Sequence, residues 1–190
     1  MSVSPAPPLL LASTSPRRRQ ILEQLGIAFD VVAPRYEEKE EDPVAHAVGK
    51  ARSVLEEAGD RPVLGCDTEV ICDGRVYGQP ATAEQAEEML DSLAGKTHEV
   101  VSGLALITRA WEEIHRETTR VTFRPLTARD LARYLETREW EGRAGAYAIQ
   151  GVGASLVERI DGDYLNVVGL PGALLVRLLV ARFPGTYGFG

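Results

Sequence analysis

Short apolar runs alternate with amphipathic segments along this chain. Residues 8–12 form one continuous apolar run, which is typical of a strand buried on both faces. Ser15 and Pro16 then suit the cap and first position of a helix, and apolar residues recur at helical spacing up to Gly26. The pattern predicts a strand, a turn of small polar residues and a helix.

Residues 29–59 are again predicted to form a strand, a polar loop and a helix. Residues 29–34 are predicted to form a second strand, and the acidic segment 36–42 a loop. Asp42 and Pro43 suit the start of a helix that we expect to end near Gly59. Its predicted inward-facing residues are Val44, Ala47, Val48, Ala51, Val54 and Leu55.

The rest of the chain mixes strands, hairpin turns and capped helices. Residues 62–80 contain two apolar segments separated at Asp67 and Thr68, with an Asp-Gly hairpin turn at 73–74. The further predicted elements are a helix to about Leu93 capped by Thr82 with Gln85, antiparallel strands at 98–107 and 116–126, a helix capped by Thr127, a strand at 155–160 and a last helix from Pro171. This order predicts an α/β fold with a mixed sheet.

Length and charge limit the classes of function. The 190 residues favour one domain, expected to be bilobed, and the net charge of −7 opposes binding of nucleic acid polymers through a broadly basic surface. No apolar run approaches the length of a membrane span, and no basic segment precedes the first one. Cys66 and Cys72 match no metal-binding spacing and are expected to be small strand residues. We expect a cytoplasmic protein that binds neither nucleic acid polymers nor a membrane.

Three arginines, Arg17 to Arg19, occupy the first turn of the first predicted helix. Cations are disfavoured there by roughly 0.3–1 kcal/mol each, because the helix N-terminus is itself positive. A solvated helix face is one explanation. The other is a phosphate site, since a strand, a small-residue turn and a helix N-terminus together commonly bind phosphate. The segment has neither a P-loop nor a dinucleotide-binding glycine pattern.

Several charged residues have two interpretations on sequence alone. Asp67 interrupts an apolar strand, where it either caps a turn or holds a metal ion or a water molecule. Lys50 lies midway along a predicted helix and is either exposed or functional. Glu37 and Glu38 either solubilise a loop or take part in a site.

Seven ordered motifs cover nearly the whole chain. They are SxSPRR at 13–18, KA at 50–51, GCDT at 65–68, G-x-P at 78–80, LAGKTHEV at 93–100, GAYAIQG at 145–151 and GDYLNVVGLP at 162–171. Together and in this order they resemble the motifs of Maf proteins, and the set is far more specific than any one of them. The resemblance favours the phosphate interpretation of the arginines.

The resemblance implies both a fold and an activity. The fold would be similar to that of inosine triphosphatases, with an elongated mixed sheet flanked by helices and a central cleft between two lobes. The activity would be hydrolysis of a nucleoside triphosphate between its α and β phosphates, which releases a monophosphate and pyrophosphate with the help of Mg²⁺ or Mn²⁺. A homodimer is also implied.

The resemblance assigns roles to individual residues. Asp67 would be the general base, or a metal-linked carboxylate that activates water, and Glu38 would assist the metal. The residues that would hold the triphosphate are Ser13, Arg17, Arg18, Lys50 and Gln79. Mg²⁺ and Mn²⁺ both suit such a set of oxygen ligands.

Three positions resemble those of the Maf branch that acts on dTTP and UTP. The branch that acts on 7-methyl-GTP tends to carry tryptophan after the SP pair and glutamate in place of glutamine, whereas this chain has Arg17, Thr68 and Gln150. An amide both donates and accepts hydrogen bonds, which suits the acceptor–donor–acceptor edge of uracil or thymine. A common or modified pyrimidine triphosphate is the expected substrate.

One position departs from the family pattern. Gln79 stands where Maf proteins usually have lysine, so a cation near the phosphates is missing. We expect this loss of positive charge to slow turnover. A nucleotide-binding regulator of septum formation is the alternative function, and a phosphatase acting on small phosphomonoesters is a third.

Overall fold

The computed structural model describes residues 7–39 and 42–190. Within them the strands are β1 (Leu9–Ala12), β2 (Phe29–Val32), β3 (Val63–Cys72), β4 (Arg75–Tyr77), β5 (Thr97–Ile107), β6 (Glu112–Phe123) and β7 (Val157–Asp161). The helices are α1 (Pro16–Gln24), α2 (Pro43–Arg52), α3 (Leu55–Ala58), α4 (Ala83–Leu93), α5 (Ala128–Glu136), α6 (Tyr164–Val168) and α7 (Gly172–Arg182), with 3₁₀ turns at Ala144–Ala146 and Gly151–Leu156. None of these helices is long and apolar enough to cross a membrane.

The described strands form one mixed sheet in the order β2-β1-β3-β5-β6-β7, and β4 pairs with β3. Strand β1 is parallel to both β2 and β3, whereas the β3–β4 and β6–β7 pairs are antiparallel. All four residues of β1 are buried, as the continuous apolar run predicts for a strand inside a sheet. The predicted α/β fold with a mixed sheet is confirmed.

The chain folds into two compact units. The first unit contains the residues up to Asp67, together with Ser102–Glu117 and Gly169–Gly190. The second unit contains Thr68–Val101 and Thr118–Val168. Asp67 and Thr68, which are adjacent in β3, therefore belong to different units.

One core cluster of the first unit lies where α2 and the α3 segment pack on strands β1, β3 and β5. Its buried members are Leu10, Ala12, Ala47, Ala51, Val54, Ala58, Val63, Ala105 and Ile107. Gly65 allows close contact, because a Cβ there would lie 2.1 Å from the carbonyl oxygen of Ala47. Helix α2 and strand β3 therefore approach more closely than side chains at this point would permit.

An aromatic cluster forms part of the core of the second unit. His98, Phe123 and Tyr147 meet edge to face, with ring centroids 4.8–5.4 Å apart. His98 Nε2 lies 2.9 Å from the Tyr147 hydroxyl. Burial lowers the pKa of His98 to about 4, so the imidazole is neutral at pH 7.

The predicted helix caps are mostly confirmed. The Asp42 carboxylate accepts hydrogen bonds from Val44 N and Ala45 N at 2.9 and 3.0 Å. Thr127 exchanges such bonds with Asp130 at the start of α5.

The two free cysteines are buried residues of β3, as predicted.

The capping box predicted for Thr82 and Gln85 at the start of α4 is only half formed. Thr82 Oγ1 accepts from Gln85 N at 3.3 Å, which is the expected cap of α4. The Gln85 side chain accepts from Ala81 N rather than from Thr82 N. The second half of the predicted box is therefore displaced by one residue.

Two predictions about local structure are wrong. The helix expected to run to Gly59 ends at Arg52, because the Ser53 hydroxyl bonds to Lys50 O and Val54 leaves helical geometry. Strand β3 continues through Asp67 without interruption. Tyr164–Val168 forms α6, for which no element was predicted. Ser15 does occupy the predicted cap position of α1, although its side chain makes no capping bond.

Candidate active site

The turn between β1 and α1 brings Ser13 and Arg18 together. Ser13 is buried, and its hydroxyl oxygen accepts from Ser15 N and from a terminal guanidinium nitrogen of Arg18, both at 3.2 Å. The serine therefore organises the turn and at the same time fixes the arginine. Arg19, the third arginine of the run, is exposed.

Arg18 is held from a second direction by the segment that precedes α7. Its Nε donates to the carbonyl oxygen of Gly169 at 3.0 Å. Arg17 reaches the same glycine, since a Cβ on Gly169 would lie 3.9 Å from Arg17 Nε. The first two arginines of the run thus converge on one backbone segment of the first unit.

Lys50 and Asp67 form a largely buried ion pair beside Arg18. The ammonium nitrogen of Lys50 donates to Asp67 Oδ1 at 2.6 Å, and the side chains are 10% and 16% exposed. A terminal nitrogen of Arg18 lies 3.9 Å from the same carboxylate oxygen. Removing one member of such a pair costs roughly 3–5 kcal/mol, because the other charge stays buried alone. The interpretation of Lys50 as an exposed residue is therefore wrong.

Glu38 completes the group from the loop after β2. Its Oε1 lies 2.6 Å from Lys50 Nζ, although 59% of its side chain is exposed. The hydrogen bond from Lys50 lowers the pKa of Glu38, and the nearby charges of His46 and Arg18 act in the same direction. The carboxylate is therefore ionised at pH 7. We call Ser13, Arg18, Glu38, Lys50 and Asp67 the charged cluster.

Helix α2 places Lys50 in this cluster. The α2 side chains His46 and Lys50, one turn apart, are buried, and the close approach at Gly65 brings the helix against the strand that carries Asp67. Tyr36, in the loop that carries Glu38, lies edge to face with His46 at a centroid distance of 5.9 Å. A Cβ on Gly49 would lie 2.2 Å from the Tyr36 ring. This packing fixes the Glu38 loop on the helix.

The donor set of the cluster fits a small divalent cation. Glu38 and Asp67 each present a carboxylate oxygen to the same Lys50 nitrogen, so a positive group between them is already favoured in this structure. Mg²⁺ is commonly held by one or two carboxylates, with water and substrate phosphates as the other ligands. No group of three or more metal-ligating side chains occurs within residues 7–39 and 42–190. The two carboxylates fit a metal that is shared with a substrate.

The remaining predicted residues lie in the second unit. Thr68 follows Asp67 directly in β3, whereas Gln79 and Gln150 are distant in sequence. The segments that carry these two glutamines meet, since Gly145 N donates to Gly78 O at 3.2 Å. Nothing in this geometry tests base recognition by Gln150 or Thr68, which stays a prediction.

Sequence reasoning missed three contributors to the site. The Gly169 carbonyl accepts from Arg18 and lies 3.6 Å from Cys66 Sγ. His46 and Tyr36 support the Glu38 loop. A backbone carbonyl leaves no trace in residue types, but the spacing of His46 and Lys50, one helical turn apart, indicates a shared face.

The family model described as "Maf-like protein" matches residues 8–182 of this chain. The chain belongs to the Maf family. Among its curated Maf relatives are proteins named "dTTP/UTP pyrophosphatase" from Bacillus velezensis and Gloeobacter violaceus, each 44% identical over 90% of this chain and 94% of the relative. A protein of the same name from Halalkalibacterium halodurans is also 44% identical, with the same coverage.

Proposed function

We propose that this Maf protein hydrolyses dTTP and UTP to the monophosphate and pyrophosphate. The observation that carries the proposal is the charged cluster, in which two cations, a largely buried carboxylate and a serine hydroxyl meet near the N-terminus of α1. The names of the relatives support the choice of substrate. The phosphate interpretation of Arg17 and Arg18 accounts for cations at a helix end that otherwise disfavours them.

Hydrolysis of a phosphoanhydride requires water to be positioned and negative charge to be neutralised. Asp67 is the carboxylate that orients water and accepts its proton, since it is the most buried carboxylate of the cluster. Arg18 and Lys50 pair with phosphate oxygens, and their present contacts keep both side chains extended toward one place. Ser13 and the Gly169 carbonyl hold Arg18 in the orientation that this requires.

Glu38 and Asp67 are the residues that would hold Mg²⁺ or Mn²⁺. The metal would supply a further positive charge that neutralises the phosphates. Lys50 links these two carboxylates, so its ammonium keeps them together before the substrate arrives. Gln79 is a neutral residue at a position where the family usually has a cation. The same resemblance supports a homodimer, which sedimentation velocity measures directly.

The products formed from UTP distinguish a pyrophosphatase from a nucleotide-binding regulator and from a phosphatase. UTP is incubated with the protein and Mn²⁺, and pyrophosphate and orthophosphate are measured separately. Pyrophosphate and UMP in equal amounts support the proposal. Nucleotide that stays bound without turnover indicates the regulatory alternative, and orthophosphate as the first product indicates a phosphatase.

A further inference from the structure

The loop that carries Gln150 is held at both ends by residues of one neighbouring segment. Before Gln150, Ala148 N donates to the Tyr134 hydroxyl at 3.0 Å. After Gln150, Val152 N and Gly153 N donate to the two carboxylate oxygens of Glu139 at 2.9 and 3.0 Å. All of these residues belong to the second unit.

The Glu139 side chain caps the 3₁₀ turn Gly151–Leu156, a role that the residue at the cap position usually has. Gln150 occupies the cap position of the 3₁₀ turn Gly151–Leu156, with extended backbone angles, yet its side chain makes no capping bond. The first N–H groups of a helical turn require an acceptor, and an ionised carboxylate is the strongest one available. Because Glu139 satisfies these groups, the Gln150 amide is not used for capping.

The carboxylate lies directly against the backbone after Gln150. Gly151 has a φ of +71°, and a Cβ there would lie 2.4 Å from Glu139 Oε1. Glu139 is itself anchored, since its backbone N–H donates to Thr137 Oγ1 at 3.1 Å and that hydroxyl donates to Tyr134 O at 2.6 Å. A chain of hydrogen bonds therefore connects the end of α5 to Val152 and Gly153, in the 3₁₀ turn that follows Gln150.

We propose that Glu139 is a positioning residue for base selection and acts through Gln150. This inference rests on the proposed function and on the predicted role of the Gln150 amide in binding the edge of uracil or thymine. An amide that discriminates uracil from cytosine must be fixed in position, because the two edges differ only in where they donate and accept. Glu139 supplies that fixation without contacting the base.

The test is the substitution Glu139→Gln, with UTP and CTP as competing substrates. The amide keeps the shape of the side chain but offers only one acceptor oxygen, so one of the two backbone N–H groups loses its partner. The UTP-to-CTP ratio of kcat/KM is expected to fall about tenfold, mostly through KM for UTP. Glu141→Gln is the matched control, because Glu141 is an exposed carboxylate that pairs with Arg138, and it leaves the ratio unchanged.

A double substitution separates positioning from general structural support. In a Gln150→Ala background, Glu139→Gln is expected to cause little further loss of selectivity, since both changes remove the same discrimination. Gly151→Ala is the second variant and decides the question if Glu139→Gln does not fold. It keeps the charge but displaces the carboxylate, and it is expected to lower the ratio as well.

The outcomes distinguish this inference from the proposed function. A wild-type protein without preference for UTP over CTP contradicts the proposed substrate itself. A selective wild type, with folded variants that remain equally selective, overturns only the role of Glu139. Additive losses in the double variant overturn it too, because Glu139 then acts independently of Gln150.

Discussion

The substitution Asp67→Asn tests the catalytic centre of the proposal. The asparagine keeps the shape of the side chain and one oxygen for Lys50, but it cannot accept a proton from water. Loss of a general base typically costs 10²–10⁴-fold in rate, so we expect kcat to fall by at least about 100-fold. That is a rise of about 2.7 kcal/mol in the activation barrier.

Asp67→Asn is expected to lose less stability than a variant that leaves a buried charge with no partner at all. Lys50 would lose the charge of Asp67 at 2.6 Å but would keep Glu38 at the same distance. We therefore expect a loss of about 1–3 kcal/mol in the free energy of unfolding, below the roughly 3–5 kcal/mol for an isolated buried charge. Nucleotide affinity is retained or increased, because a negative charge beside the phosphates is removed.

Three measurements test this prediction together. They are pyrophosphate release under saturating UTP, chemical denaturation followed by circular dichroism, and calorimetric binding of a UTP analogue with a nonhydrolysable α,β bridge. Asp30→Asn is the control, since Asp30 is an exposed carboxylate paired with Arg61 at 2.6 Å and lies outside the charged cluster. A near-normal kcat in folded Asp67→Asn protein would remove Asp67 from the mechanism.

Three further substitutions test separate parts of the account. Gln150→Glu is expected to weaken the preference for pyrimidine triphosphates, and an unchanged ratio of kcat/KM for UTP and GTP would refute base recognition at this position. Gln79→Lys restores the cation usual in the family and is expected to raise kcat; a fall in activity would show that this chain has a differently compensated site. Gly49→Ala places a Cβ 2.2 Å from the Tyr36 ring and displaces the Glu38 loop, so more Mn²⁺ is needed for half-maximal activity with little change in melting temperature. Unchanged Mn²⁺ activation would contradict the role of that loop.

Local sequence patterns correctly predicted the elements that are stabilised by interactions between residues close together in the sequence. The caps at Asp42 and Thr127 follow from side chains that bond to backbone groups two or three residues away, so the sequence contains the whole interaction. The buried run at residues 8–12 likewise predicted β1. The end of α2 at Arg52 was missed because the Ser53 hydroxyl also accepts from Arg35 N, a contact between distant residues.

Assembly of the candidate site depends on contacts between residues far apart in sequence. Family resemblance alone indicated Ser13, and composition and spacing left Arg18, Lys50 and Asp67 each with a structural alternative. The geometry decides for Lys50, because a buried ammonium between two carboxylates is not a solvated surface residue. The role of Glu139 depends on backbone N–H groups more than ten residues away, which no local pattern indicates.

The account is tested most directly by the products formed from a panel of common and modified nucleoside triphosphates, with separate detection of pyrophosphate and orthophosphate. The account predicts that dTTP, UTP or a modified pyrimidine triphosphate gives the monophosphate and pyrophosphate in equal amounts, with purine triphosphates converted more slowly. Orthophosphate as the first product, or no turnover of any nucleotide in the presence of Mg²⁺ or Mn²⁺, would contradict it.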